Sequence, residues 1–412
     1  MNEKYLYCTH EWRIEKDNIY VSLLQQRYGD TFESLTYHYR KHTIKFMRIL
    51  KKALTVILYA LFILSVFALM VYFYLTGEFG AVPTSVEEAI YAQFDYYKDG
   101  VFRSPKEVVF YFDKVSGSRL SALRFFSKSP NAPDKPIPQI MLDKTSFSSP
   151  PSDYALYWLG HSSAILELDG KRLLFDPVFG NAAPLPFMVR RYDDSPIKRE
   201  NLPTIDYIVI THNHYDHLEK KTVRSIKNGR FIVPLGLGAA LRGWGVDENR
   251  ITELGWGDSF VQDGLNITAL EGVHFSGRGF FDRNKTLWAA YVVKSTRKTI
   301  SWSGDTGYGS HFAKFKEQYG PFDLAAIEID GWNSGWPRSH MFPEEAAQAA
   351  LDLDAEETLP IHWGVFDLAM HPWHESVDAF LEKTKSSDLK ILTPRMGEKV
   401  IPGVTLTEHW WN

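Results

Sequence analysis

The chain is poor in cysteine: Cys8 is the only one in 412 residues. That excludes an intramolecular disulfide framework and a cysteine-based zinc site. It also lacks an excess of basic charge. Lys and Arg number 46 against 50 Asp and Glu, so the formal charge is -4 and nothing points to nucleic acid as a partner. There is no repeat at a solenoid period and no low-complexity segment. What the chain does have is 44% hydrophobic residues, enough for one large domain plus appendages. It also has one long uncharged run and one dense cluster of histidines.

The uncharged run is Ala53 to Leu75. At about 1.5 Å per residue, a helix of this length crosses a hydrocarbon core of about 30 Å. A cleaved signal peptide has a shorter apolar region and a small-x-small site. Tyr72-Phe73-Tyr74 at the end of this run offers none, so an uncleaved anchor is expected. Arg40, Lys41, Lys45, Arg48, Lys51 and Lys52 precede the run, whereas the first basic residue after it is Lys98. The positive-inside rule then places residues 1–52 in the cytoplasm and everything after the 53–75 span outside it. The N-terminal segment predicts a helix around Val21 to Tyr39, and Met47 is an alternative start of translation.

The histidine cluster is Thr211-His212-Asn213-His214-Tyr215-Asp216-His217-Leu218, directly after the apolar run Tyr207-Ile208-Val209-Ile210. The apolar run reads as a buried strand, and the cluster as the loop at its end. A strand end holds such groups rigidly yet open to a ligand. His212 and His214 can reach one metal, and Asp216 with His217 can reach a second. Imidazole suits zinc, and a carboxylate suits a harder or bridging position.

These residues resemble the His-x-His-x-Asp-His signature of the metallo-β-lactamase superfamily. Other segments match in order: Trp158-Leu159-Gly160-His161, Leu174-Phe175-Asp176-Pro177, Glu271-Gly272-Val273-His274-Phe275, Gly304-Asp305-Thr306-Gly307-Tyr308 and Ile361-His362-Trp363-Gly364. Within the superfamily, His340-Met341-Phe342-Pro343-Glu344-Glu345-Ala346 is similar to a segment of the N-acyl-phosphatidylethanolamine-hydrolysing phospholipase D group. The resemblance covers residues 151–412. It implies an α/β fold, a four-layer αββα sandwich, here preceded by one transmembrane helix. It also implies two metals. His212, His214 and His274 would hold one, Asp216, His217 and His362 the other, and Asp305 would bridge them. Two zinc ions are expected, with iron or manganese as alternatives. Asp216 and His340 are the candidate catalytic side chains. Asp176 and His161 are candidates to orient the metal-binding imidazoles. Trp332, Trp336 and Phe342 are candidates for an apolar groove that would suit acyl chains.

Between the span and this domain, residues 76–150 read as a connecting and packing region. A helix is expected over Ser85 to Tyr97 with Ser85 as N-cap, and an extended segment over Ser129 to Pro138. Short strands are expected at Ala155 to Leu159, Ala164 to Leu168 and Arg172 to Phe175, with a hairpin turn at Gly170-Lys171. Helices are expected at Lys220 to Asn228, Leu235 to Trp244, Ser310 to Tyr319, Pro343 to Leu353 and Glu375 to Lys385. The expected activity is a membrane-anchored phosphodiesterase acting on N-acyl-phospholipid-like substrates. The alternatives are a lactonase or other ester hydrolase, or a non-catalytic metal-binding scaffold. The expected partners are a lipid-like or small-molecule substrate and a membrane, with a homodimer left open.

Overall fold

The computed structural model describes residues 3–111 and 129–411. Of the region 76–150, residues 112–128 lie outside the described residues. The chain forms two compact units, Met1–Tyr74 and Leu75–Asn412.

α1 (Glu3–Phe79) is two helical stretches joined at a kink at Gly29 (φ 43, ψ -129); its residues up to Tyr74 make up the described part of the first unit, and the remainder belongs to the second. The helix expected over Val21 to Tyr39 lies inside α1 and is interrupted there. The part Tyr37–Phe79 is 43 residues long, reaches a mean hydropathy of 2.7, and is long and apolar enough to cross a membrane. None of its most apolar window is buried; Leu54, Phe62, Phe67 and Phe73 all lie exposed. A core helix of a soluble protein would bury such residues.

In the second unit, α2 (Ser85–Tyr91) is capped by Thr84 rather than Ser85. The Thr84 hydroxyl accepts from Glu87 N, and the Glu87 carboxylate accepts from Thr84 N at 2.7 Å. This reciprocal pair satisfies two end donors at once, which Ser85, one residue too late, does not do. The helix also stops at Tyr91, short of the expected Tyr97. There the chain turns into a small hairpin, β1 (Tyr97–Lys98) with β2 (Val101–Phe102).

The first large sheet contains β3 (Tyr154–Gly160), β4 (Ser163–Leu168), β5 (Lys171–Phe175) and β6 (Tyr207–Val209). After α3 (Lys220–Ser225) come β7 (Arg230–Pro234), α4 (Leu237–Gly243) and β8 (Ile251–Leu254). The second sheet contains β9 (Ser259–Gln262), β10 (Leu265–Leu270), β11 (Ala290–Lys294) and β12 (Thr299–Trp302), then β13 (Leu324–Glu328) after α5 (His311–Tyr319) and β14 (Glu357–Ile361) after α6 (Pro343–Leu353). Helix α7 (Glu375–Thr384) and strand β15 (Lys399–Val400) follow. The strand orders are β15-β3-β4-β5-β6-β7-β8 and β14-β13-β12-β11-β10-β9. The β4–β5 turn is Asp169-Gly170, one residue earlier than expected. Both residues have positive φ (47 and 76), the geometry of a tight two-residue hairpin, and Lys171 already pairs with Leu168.

Strand alternation decides which side chains meet. Leu156, Trp158, Leu166, Leu173 and Phe175 point into the core between the sheets, while Tyr157, Leu159, Ile165 and Leu174 join a second core on the other face. That second core includes Leu237, Ala240 and Leu241 of α4, so helices cover the outside of the first sheet. Ala346, Ala349, Ala350 and Leu353 of α6 cover the second, next to β13. The result is the four-layer αββα sandwich. At its centre Phe175 of one sheet stacks on Trp302 of the other, with ring centroids 4.1 Å apart and planes 15° from parallel. Trp302→Ala should cost about 3–5 kcal/mol of folding stability, because it leaves a cavity at the joint of the two sheets. Urea unfolding of the purified chain measures it.

Candidate metal centre

Each side chain of interest sits just beyond the C-terminal end of a strand. His161 follows β3, Asp176 follows β5, and the loop of His212, His214, Asp216 and His217 follows β6. From the second sheet come His274 after β10, Asp305 after β12 and His362 after β14. Carboxyl ends of strands are where open α/β sheets place ligands. Three of these residues adopt left-handed backbone: His161 (φ 53), Asp176 (φ 37) and His362 (φ 72).

Among the described residues the ligand-type atoms gather in two neighbouring groups of four, joined by a third, Asp305, His340 and His362. His212, His214, His274 and Asp305 lie within 4.8 Å of one another, as do His161, Asp216, His217 and His362. Asp305 Oδ2 lies between the groups. It is 3.0 Å from His362 Nε2 and 3.1 Å from His217 Nε2, and 3.7 Å from His212 Nε2 and 3.8 Å from His274 Nε2. Donors about 2.0–2.1 Å from a tetrahedral ion stand roughly 3.3 Å apart, so this spacing fits first-row cations. Nε2 of His217, both ring nitrogens of His362 and Oδ1 of Asp305 are buried without a hydrogen-bond partner. Buried polar atoms are normally satisfied, and these form a set of donors suited to a cation.

Surrounding hydrogen bonds fix the ring orientations. Asp176 accepts from Thr211 N (2.7 Å), Thr211 Oγ1 (2.7 Å) and His217 Nδ1 (2.8 Å). His274 Nδ1 donates to the Ser339 carbonyl at 2.8 Å, which leaves Nε2 as the acceptor facing the cluster. His161 Nε2 lies 3.0 Å from Asp216 Oδ2. The structure thus brings His161 into the second group, closer than the outer position expected of it. His340 lies at the edge, within reach of Asp305 and His362, and its Nδ1 is 3.3 Å from Glu328 Oε2.

Glu328 escaped the sequence reading. It is fully buried at the end of β13, and its Oε1 accepts from Met341 N at 3.1 Å. The available signal was a lone acid closing the apolar run Leu324-Ala325-Ala326-Ile327. Arg278 was missed as well. Its buried guanidinium donates to the carbonyls of Asn213 (2.9 Å) and Leu218 (2.7 Å), bracing the histidine loop.

Trp332, Trp336 and Phe342 are partly buried. Trp332 lies 5.4 Å from Phe342 and 3.7 Å from His371 between ring centroids. Trp336 Nε1 donates to the Gly331 carbonyl at 2.6 Å, and a Cβ at Gly331 would come within 2.8 Å of the His340 ring.

The electrostatics call for positive charge. Burial works against the charged form of His362, but the carboxylates of Asp305 and Asp216 outweigh it and hold the group at about 10, above its ordinary 6.5. His217 is raised too, again against burial, by Asp305, Asp216 and Asp176. Burial instead pulls His214 down to about 4 and His161 to about 3. In chelator-treated protein the stability supplied by the His362 proton is complete below pH 6.5 and is lost as pH rises through about 10. His214 and His161 act on the acid side. Below 6.5 the unfolded chain takes protons that the folded chain refuses, so stability falls there as well. Chelated protein should therefore be most stable near neutral pH. Saturating divalent metal should remove the alkaline loss, because a cation replaces those protons. Thermal unfolding across this range, with and without metal, checks it.

Comparison with known proteins agrees with this geometry. The family described as the Beta-lactamase superfamily domain matches residues 171–363. An uncharacterized protein of Mycobacterium tuberculosis (strain ATCC 25618 / H37Rv) is 36% identical over 342 residues, 81% of this chain and 91% of that one. The N-acyl-phosphatidylethanolamine-hydrolyzing phospholipase D 1 of Caenorhabditis elegans is 34% identical over 262 residues, 58% of this chain and 74% of that one. A solved structure from Veillonella parvula DSM 2008, described as a possible metal-dependent hydrolase, shares the fold with a TM-score of 0.51 at 16% identity, covering 61% of this chain and all 100% of that one. The chain belongs to the metallo-β-lactamase superfamily, as a metal-dependent hydrolase resembling the N-acyl-phosphatidylethanolamine-hydrolysing phospholipase D group.

Proposed function

We propose that this chain is a membrane-anchored, dizinc phosphodiesterase of phospholipase D type, acting on N-acyl-phospholipid-like substrates. The observation that carries the dimetal centre is the position of Asp305 Oδ2, 3.0–3.8 Å from four imidazole nitrogens drawn from both groups. His212, His214 and His274 would hold one ion, Asp216, His217 and His362 the other, with Asp305 between them. Imidazole and carboxylate donors suit zinc, and the same mixture takes iron or manganese, which elemental analysis distinguishes. Bound divalent cations supply Lewis acidity for a phosphoryl oxygen and water with a pKa near 7. A site with every donor in place favours an enzyme over a non-catalytic scaffold.

The substrate class is supported by likeness to the nematode phospholipase D, which spans 74% of that protein, and by the apolar span of α1. Displacement at phosphorus breaks the bond to the alcohol oxygen of the head group, and that oxygen needs a proton. His340, grouped with Asp305 and His362 at the edge of the centre, would give it. Its Nδ1 lies 3.3 Å from Glu328 Oε2, an orientation in which Nε2 would serve the phosphate or the departing oxygen. Trp332 and Phe342, which pack together, and Trp336 would form the groove for an acyl chain.

Full-length protein in mixed micelles should hydrolyse N-acyl-phosphatidylethanolamine and leave long-chain lactones untouched. His340→Ala should lower turnover by about 10²–10⁴-fold with metal content unchanged. Lactone hydrolysis without phosphodiester turnover would transfer the assignment to an ester hydrolase. Orientation is tested separately. The basic flank before Ala53 supports a domain outside the cytoplasm, so a reporter active only in the cytoplasm, fused after Gly80, should be silent.

A further inference from the structure

The loop that follows His274 leaves two phenylalanines in the open: Phe280 is 75% exposed and Phe281 is 96% exposed. The loop is not loose. Gly277 N donates to Asn213 Oδ1 at 2.8 Å, and Arg278 N and Gly279 N donate to the two Asp282 carboxylate oxygens at 3.0 and 2.8 Å. Asn284 N closes the turn onto the Ser276 carbonyl at 3.0 Å. A backbone fixed in this way holds the two rings outward. A pair of adjacent apolar rings presented by a built turn marks an interaction surface.

What that surface meets follows from its neighbour. The Phe280 ring stands edge-on to Phe79, with centroids 5.5 Å apart and planes at 88°. Phe79 is the last residue of the stretch that is long and apolar enough to cross a membrane. Carbonyls in the last turn of a helix have no partner within the helix. Here other residues of the same unit, Leu75–Asn412, supply partners. Arg278 Nε and Nη2 donate to the Glu78 carbonyl at 3.3 and 3.2 Å. Lys220 Nζ and Trp244 Nε1 donate to the Gly77 carbonyl at 2.8 and 3.0 Å. The aromatic tip is therefore fixed to the residues at which the apolar stretch ends.

We propose that Phe280 and Phe281 form an interfacial tip that enters the head-group and upper acyl region of the bilayer spanned by α1; this rests on the anchoring reading above. Apolar side chains at an interface add buried area exactly where lipid replaces water, and aromatic rings suit that depth. Arg278 connects the tip to the metal centre. One guanidinium binds Glu78 on one side and the histidine loop, at Asn213 and Leu218, on the other. The tip thereby sets the histidine loop at the membrane surface, where a lipid substrate enters without leaving the bilayer.

The test uses the full chain with Cys8→Ser, so that one introduced cysteine carries an environment-sensitive NBD label. Three versions are compared: Phe281→Cys at the tip, Phe67→Cys inside the span, and Val261→Cys on exposed β9. Each is reconstituted into phosphatidylcholine–phosphatidylethanolamine vesicles with and without doxyl-labelled lipid. The proposal expects the Phe281 and Phe67 labels to emit at shorter wavelength than the Val261 label and to be quenched by doxyl lipid, with Phe281 quenched more by shallow than by deep doxyl groups. A Phe281 label that behaves like Val261 while Phe67 is quenched overturns the tip and leaves the anchor standing. A Phe67 label that is not quenched overturns the anchor and the tip with it. A Phe281 label shifted to shorter wavelength but not quenched means protein covers the tip, which overturns lipid as the occupant in favour of a second copy of this chain.

Discussion

Buried negative charge is the constraint around which this molecule is arranged. Asp176, Asp216, Asp305 and Glu328 are all buried, and all face one small region. Moving a carboxylate out of water costs several kcal/mol even after the surroundings relax. Each of these groups has partners, although burial still pushes the Asp176 and Glu328 carboxyls above their ordinary range. Asp176 takes three hydrogen-bond donors, Glu328 takes His340 and a backbone N–H, and Asp216 and Asp305 sit among imidazoles. Without a cation the balance depends on protons held by His217 and His362 well above the usual histidine range. The centre is electrostatically complete only when positive charge is supplied.

Meeting that constraint takes backbone strain. Left-handed backbone at a residue other than glycine costs of order 1–3 kcal/mol, and it persists where the surroundings over-determine it. His161, Asp176 and His362 each adopt it directly after a strand. The strands before them are anchored on both faces, and that packing offsets the strain. Gly304 shows the same crowding. A Cβ there would lie 3.0 Å from the Ala289 carbonyl oxygen and from the Thr211 side chain, so glycine lets the turn that carries Asp305 approach the histidine loop.

The sequence showed the parts of this arrangement that are encoded locally. The spacing of His212, His214, Asp216 and His217 on one loop is itself the geometry, so it could be read directly. Strands β3 to β6 were legible because their apolar runs are short and bounded. Resemblance supplied what spacing cannot, namely that His274, Asp305 and His362, far apart in sequence, converge on that loop. Glu328 stayed hidden because its meaning depends on His340 packing above it from another loop. Arg278 stayed hidden because an arginine looks like a surface residue until the fold buries it. The Ser85 cap and the Gly170-Lys171 turn were each misplaced by one residue. Both depend on the local dihedral angles that decide which residue is the first inside an element.

The two groups of donors draw on both sheets. His212 and His214 come from the end of β6, and His274 and Asp305 from the ends of β10 and β12; His161, Asp216 and His217 meet His362 in the same way. A cation seated in either group would therefore act as a cross-link between the halves of the sandwich, closing chain loops of very different length at one point. Loop closure removes conformational freedom from the unfolded chain, and metal binding that requires the folded site adds directly to folding free energy. The halves of the sandwich would then part only as the ion leaves, so holding the fold together and holding the reagent become one and the same equilibrium.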